Sequence, residues 1–170
     1  MSQGEAVSVS GKVVRLTDER WLHIERRHPE LRGLKERVLD TVEEPRLVVR
    51  GRYGEFLAIE SPPSTGHARS LVVVYRESSK DGFIITAYLT SDTADLERRE
   101  NMAKSLLTVS KLEKLDVDYD ETGDVLYISF GPPIAASDSR VLDNDVVVRF
   151  KGERIVGITV PSFRKRLKQA

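Results

Sequence analysis

Four short runs rich in β-branched and aromatic residues, Leu47–Arg50, Glu55–Glu60, Ser70–Glu77 and Phe83–Thr90, follow one another in mid-chain. Runs of this length bounded by Gly, Pro, Ser and Asp predict strands. The first pair is joined through Gly51-Arg-Tyr-Gly54 and the last through Ser78-Ser-Lys-Asp-Gly82, both compact enough for antiparallel hairpins. The middle connection, Ser61 to Arg69, is longer and rich in turn residues, and predicts a mobile loop beside a site.

Helices precede these runs. Thr17 is a candidate N-cap for a helix starting at Asp18, with Asp18 and Glu19 in the first turn, where the helix dipole favours negative charge. Pro29 disfavours helical geometry at His28 and should end that helix there. Leu31, Leu34, Val38 and Val42 then stand at helical spacing until Pro45. Residues Met1 to Ser10 are small and polar and predict a frayed terminus.

After Thr90 the pattern changes, which sets a boundary between residues 11–91 and the rest of the chain. Residues 92–114 are charged and compatible with a helical linker, with Leu96, Met102, Ala103 and Leu106 as contact residues. Residues 115–168 predict a small β unit. Its hairpins are Asp116–Phe130, turning at Glu121-Thr-Gly123, and Asp145–Val160, turning at Lys151-Gly-Glu153, with a short closing helix at Ser162–Lys168.

The stretch W-L-H-I-E-R-R-H-P-E, Trp21 to Glu30, carries the candidate chemistry. At about 100° per residue, His28 falls between Trp21 and Ile24 on the apolar side, while His23 falls opposite, in line with Arg20 and Arg27. The two histidines are five apart rather than four, which rejects a shared metal site on one helix. An imidazole flanked by guanidinium groups suits a phosphodiester: it moves protons near neutral pH while the arginines hold the phosphate and lower its pKa. The competing reading is a solvated face of an amphipathic helix. For His28 the competing reading is a favourable dipole contact at the helix C-terminus.

The order L-T-x-x-R-W-x-H-I-x-x-R-H-P-E, then a helix, then V-V-V-Y-R-E and G-F-I-I-T-A-Y-L-T, resembles the barnase, EndoU, colicin and RelE-like superfamily of ribonuclease and toxin domains. Within it, it is similar to the phage-associated nuclease members and to domain of unknown function 4258, over about Val14 to Ser91. That resemblance implies one or two helices on a four-stranded antiparallel sheet and a cleft shared by a helical histidine, basic residues and strand hydroxyls. By position it implies a site of His23, Arg27, His28, Arg76, Tyr88 and Thr90, with no cofactor and no metal. Thr86, Tyr88 and Thr90 share one strand face by the period of two, and Ile85, Ala87 and Leu89 the other. A β-prone solvent surface would give the same alternation.

Y-D-E-T-G-D-V-L-Y-I-S-F-G from Tyr119, with D-V-V-V-R-F-K-G-E-R-I-V-G-I-T-V from Asp145, resembles domain of unknown function 2283. That family implies a compact antiparallel sheet, often encoded beside toxin-like partners. The expected fold class is therefore α+β: N-terminal helices packed on a four-stranded antiparallel sheet, followed by a small, mainly antiparallel β domain.

Charge is uneven. Asp116 to Val148 has eight acidic residues against Arg140, whereas Arg149 to Ala170 has seven basic residues against Glu153. Asp116, Asp118 and Asp120 fail as a calcium loop, because Glu121 stands where glycine is needed sixth and Tyr127 where an acid is needed twelfth. They predict the outer face of a strand, with Val117 and Tyr119 facing in. A second reading has them occupying the phosphate-binding region around Arg27 and Arg76 as a mimic of RNA.

A net charge of zero argues against a broad basic nucleic-acid surface, and the absence of cysteine removes disulfides and thiolate zinc sites. No apolar run approaches a membrane span, and nothing near the N-terminus has a basic start followed by an apolar stretch, so a cytoplasmic location is expected. The functional expectation is a metal-independent endoribonuclease fused to an antitoxin-like regulatory domain, with RNA and an intramolecular domain contact as partners. The alternative is a non-catalytic interaction or regulatory protein. A homo-oligomer stays open.

Overall fold

A computed structural model describes residues 3–60, 69–94 and 114–168. The linker helix expected over 92–114 falls mostly in 95–113, and the loop expected beside a site in 61–68, both outside the described residues.

The first sheet contains β1 (Gln3–Val7), β2 (Val13–Thr17), β3 (Leu47–Arg50), β4 (Glu55–Ile59), β5 (Ser70–Glu77) and β6 (Gly82–Thr90). Their spatial order is β1-β2-β6-β5-β4-β3, with neighbours antiparallel except β2 and β6, which run parallel. The helical segments are α1 (Asp18–Arg27), a 3-10 turn (Pro29–Leu31) and α2 (Lys35–Glu43). The sheet is thus six-stranded and mixed, not four-stranded and antiparallel.

The two extra strands come from the N-terminus. Residues 3–7, expected to fray, pair with β2 in the register Gln3↔Thr17 to Val7↔Val13. Their side chains carry little strand signal, and the pairing rests on a backbone turn in which Ser8 N–H donates to Lys12 O and Gly11 N–H to Ser8 O. Gly4 lets α2 pack closely, since a Cβ there would stand 2.9 Å from Leu39 Cδ1.

The second sheet contains β7 (Leu115–Asp120), β8 (Val125–Phe130), β9 (Asp138–Val141), β10 (Val147–Lys151) and β11 (Arg154–Pro161), and α3 (Phe163–Leu167) follows it. Its order is β7-β8-β11-β10-β9, antiparallel throughout. Both expected hairpins and the closing helix are present. β9 was not expected, because D-S-R-V carries one apolar residue. It is held by pairing to β10 and by Thr90 Oγ1 donating to Ser139 O.

The architecture is α+β, and the first sheet is covered on both faces. Trp21, Ile24, Leu31, Val38 and Val42 from the helical segments pack with Leu71, Val73 and Ala87 on one side. Leu57, Ile59, Val72, Val74, Ile85 and Tyr88 pack with Val125, Tyr127 and Val147 of the second sheet on the other. Double coverage explains why L-V-V-V-Y lacks polar alternation. Each buried aliphatic side chain in such a layer stabilises by about 1.5–3 kcal/mol.

Strand β6 departs from strict alternation. Val74 pairs with Thr86 but Tyr75 with Ile84, so Ile85 sits in a bulge. The extra residue turns Ile85 to the second-sheet side, away from Ala87 and Leu89. Strand β7 also differs from expectation: the acids face inward, and Leu115 and Val117 are 51% and 53% exposed. No helix among the described residues is long and apolar enough to cross a membrane.

Candidate active site

Local sequence positions α1 tightly. Thr17 accepts the Arg20 N–H at 3.2 Å as N-cap, Asp18 and Glu19 occupy the first turn, and Arg26 and Arg27 the last. The His28 N–H closes the helix on Ile24 O at 2.7 Å, and Pro29 starts the 3-10 turn. With Trp21 and Ile24 committed to the core, the opposite face carrying Arg20, His23 and Arg27 meets β7.

The meeting is a ladder of charge. Arg27 Nη1 donates to Asp116 Oδ2 at 2.9 Å, and Arg27 Nη2 lies 2.8 Å from Asp118 Oδ2. His23 Nε2 is 3.4 Å from the same Asp118 oxygen, and Arg20 pairs with Asp120. Asp120 Oδ1 also accepts the N–H groups of Thr122 and Gly123, both at 3.1 Å, which aims the carboxylate. Gly123 leaves room for this pair, because a Cβ there would stand 2.6 Å from Arg20 Nη1.

Arg27, expected on the exposed face, is buried under these carboxylates, whereas the His23 side chain remains 26% exposed. The His23 ring lies 5.4 Å from the Tyr127 ring. Burial pushes the His23 pKa down, and Arg20, Arg27 and Arg26 push the same way against Asp118. A pKa pushed below 6.5 favours the neutral imidazole at neutral pH, and its Nε2 is buried beside Asp118.

His28 occupies a different environment. It is fully buried, with Nδ1 3.1 Å from Glu30 Oε1, Nε2 3.3 Å from Thr159 Oγ1, and its ring edge-on to Tyr127. Glu30 Oε2 accepts from Arg149 Nη2 at 2.8 Å and from the Ala136 N–H at 3.1 Å. Burial lowers the His28 pKa, and Arg149 adds to the effect. A neutral ring that donates from Nδ1 to Glu30 and accepts at Nε2 from Thr159 satisfies both neighbours.

The strand residues do not join His23. Arg76 donates to Glu55 Oε1 at 3.1 Å and to Ser162 Oγ at 2.8 Å. Ser162 is itself buried in a left-handed conformation, φ 53°, between β11 and α3. Thr90 is sealed against Ser139, and Tyr88 lines a small cleft with Glu55, Leu57, Val74, Asp145 and Val147. The hydroxyl face of β6, expected to border a cleft or solvent, is covered by the second sheet.

Sequence reasoning missed Tyr127, whose hydroxyl donates to Thr86 Oγ1 at 3.2 Å and whose ring touches both histidines. It also missed the Glu30–Arg149 pair. The charge of Glu30 in R-H-P-E was visible, but its partner lies 119 positions away.

The chain is an α+β protein of two stacked sheets, with an imidazole and two guanidinium groups gathered on one helix face. Residues 116–163 match the model of a family described as protein of unknown function (DUF2283), which corresponds to the second sheet and the start of α3. No curated protein and no solved structure matches the chain.

Proposed function

We propose that the protein is a toxin-like, metal-independent endoribonuclease whose C-terminal sheet is an antitoxin-like regulatory unit. One observation carries the reading: a partly exposed imidazole, His23, stands between two guanidinium groups on one helix face. His23 takes the proton of a ribose 2′-hydroxyl as its oxygen attacks the adjacent phosphorus. The bond to the 5′-oxygen breaks, leaving a 2′,3′-cyclic phosphate, and the protonated imidazole or water returns a proton to the departing oxygen. Arg20 and Arg27 hold the phosphate and the charge that grows on it. Arg76, Tyr88, Thr90 and the buried His28 have other partners and take no part in this narrower reading.

The test is RNA cleavage in EDTA by the full chain, in wild type and with Asp116, Asp118 and Asp120 replaced by asparagine. His23→Ala in either background should abolish cutting. A folded asparagine variant that leaves RNA intact, or equal cutting after His23→Ala, rejects the assignment.

The second reading is a non-catalytic interaction protein, favoured by the near-complete burial of Arg20 and Arg27 under carboxylates. It expects no cleavage from any of these variants.

A further inference from the structure

We infer that β7 is a displaceable mimic of single-stranded RNA, occupying the α1 face that would otherwise bind the phosphates. The inference rests on the reading of α1 as a phosphate-binding face and adds how that face is regulated.

Three independent features of β7 point the same way. Its charges match the helix rung by rung in antiparallel order: Arg20 with Asp120, His23 with Asp118, and Arg27 with Asp118 and Asp116. Alternate strand residues are about 6.8 Å apart. Helix residues three and four apart rise about 4.5 and 6 Å. The long arginine side chains absorb the difference, and a row of backbone phosphates would meet the same three groups.

The polarity of β7 is inverted. Leu115 and Val117 are more than half exposed, while the carboxylates turn toward α1, Asp120 buried and Asp118 and Asp116 partly covered. Elsewhere the sheets meet mainly through aliphatic and aromatic side chains such as Val72, Val74, Ile85 and Val147, with neutral hydroxyl contacts among them. Burying ionic groups where apolar ones would pack is seldom stabilising, because desolvation offsets much of the attraction. An interface built only to hold the sheets together would put Leu115 and Val117 inside. The arrangement makes sense for a face that must also suit an anionic ligand.

Strand β7 also sits where it could leave with few other contacts broken. Among the described residues it is an edge strand, bonded within its sheet to β8 only, with Tyr119 as its further tie, to Asp124, Arg164 and Phe163. The remaining strands are fastened separately: β8 by Tyr127 to Thr86, β10 by Arg149 to Glu30, β11 by Thr159 to His28, and β9 by Ser139 to Thr90. Displacement is thus a local opening, of the kind that costs less than global unfolding.

The test uses the full chain and a fluorescein-labelled 2′-O-methyl oligouridine, which cannot be cut, so that binding is read apart from catalysis. Asp116→Asn, Asp118→Asn and Asp120→Asn together should tighten binding at least tenfold at low salt, and adding Arg27→Ala should cancel the gain. Equal affinity of the folded triple variant and wild type overturns the inference, as does an equal gain for a polyglutamate peptide. If the triple variant does not fold, Asp118→Asn alone removes the carboxylate shared by His23 and Arg27. It should tighten binding about threefold, and no change overturns the inference. Tighter binding with cleavable RNA left intact would reject the nuclease reading and leave the mimicry standing.

Discussion

Glu30 and Arg149 form an ion pair of 2.8 Å in which both side chains are almost sealed from solvent, and this pair fastens the second sheet to the turn after α1. Glu30 also accepts from His28 and from the Ala136 backbone, so its lone pairs are used. Removing one partner strands the other charge. Glu30→Ala is expected to lower stability by about 3–5 kcal/mol. The double variant with Arg149→Met should lose less than the single, as measured by urea unfolding. A loss below about 1 kcal/mol for Glu30→Ala would mean that water reaches Arg149.

The same cluster sets an acid limit. Burial by itself would raise the Glu30 pKa, but the hydrogen bond from His28 and the charge of Arg149 hold it down at about 2, from 4.5. A depressed carboxyl pKa gives stability that is fully present above about 4.5 and lost as pH falls toward about 2. His28, with its pKa pushed below 6.5 by burial, adds stability that is present above 6.5 and declines as pH falls below it. Unfolding midpoints followed from pH 8 to pH 3 should therefore decline in two stages. Glu30→Gln should flatten the lower one.

The two histidines should separate cleanly by assay. His28→Ala opens a hole in a fully buried site and leaves Glu30 and Thr159 short of a partner, a cost of about 2–4 kcal/mol. His23→Ala removes a partly exposed ring and should cost about 1 kcal/mol or less while abolishing any RNA cleavage. Equal destabilisation by the two substitutions would contradict this division.

Gly157 on β11 is a test of sheet packing. A Cβ there would lie 2.9 Å from the backbone oxygen of Ile128 and 3.4 Å from Arg149 Nη1. The carbonyl belongs to the β8 ladder and cannot give way easily. Gly157→Ala should cost about 1–3 kcal/mol, read from thermal unfolding. Gly123→Ala would press on both partners of an ion pair, Arg20 Nη1 at 2.6 Å and Asp120 Oδ2 at 2.7 Å, and should loosen that pair rather than the sheet.

Sequence by itself determined the local elements. Thr17 and Pro29 bound α1, Pro45 stands just beyond α2, and the hairpin turns at Glu121-Thr-Gly and Lys151-Gly-Glu lie where turn chemistry requires. Helical spacing likewise put Arg20, His23 and Arg27 on one face. These are short-range matters, decided by backbone geometry over a few residues. Which face of a strand is covered is not. A period of two in L-D-V-D-Y-D says that the acids share a side, and it reads the same whether that side is in or out. Only the tertiary structure turned the acids inward, because their partner Arg27 stands 89 positions from Asp116. It likewise buried the hydroxyls of β6 beneath a second sheet and added the polar strand β1 through backbone bonds, which leave no side-chain pattern to read.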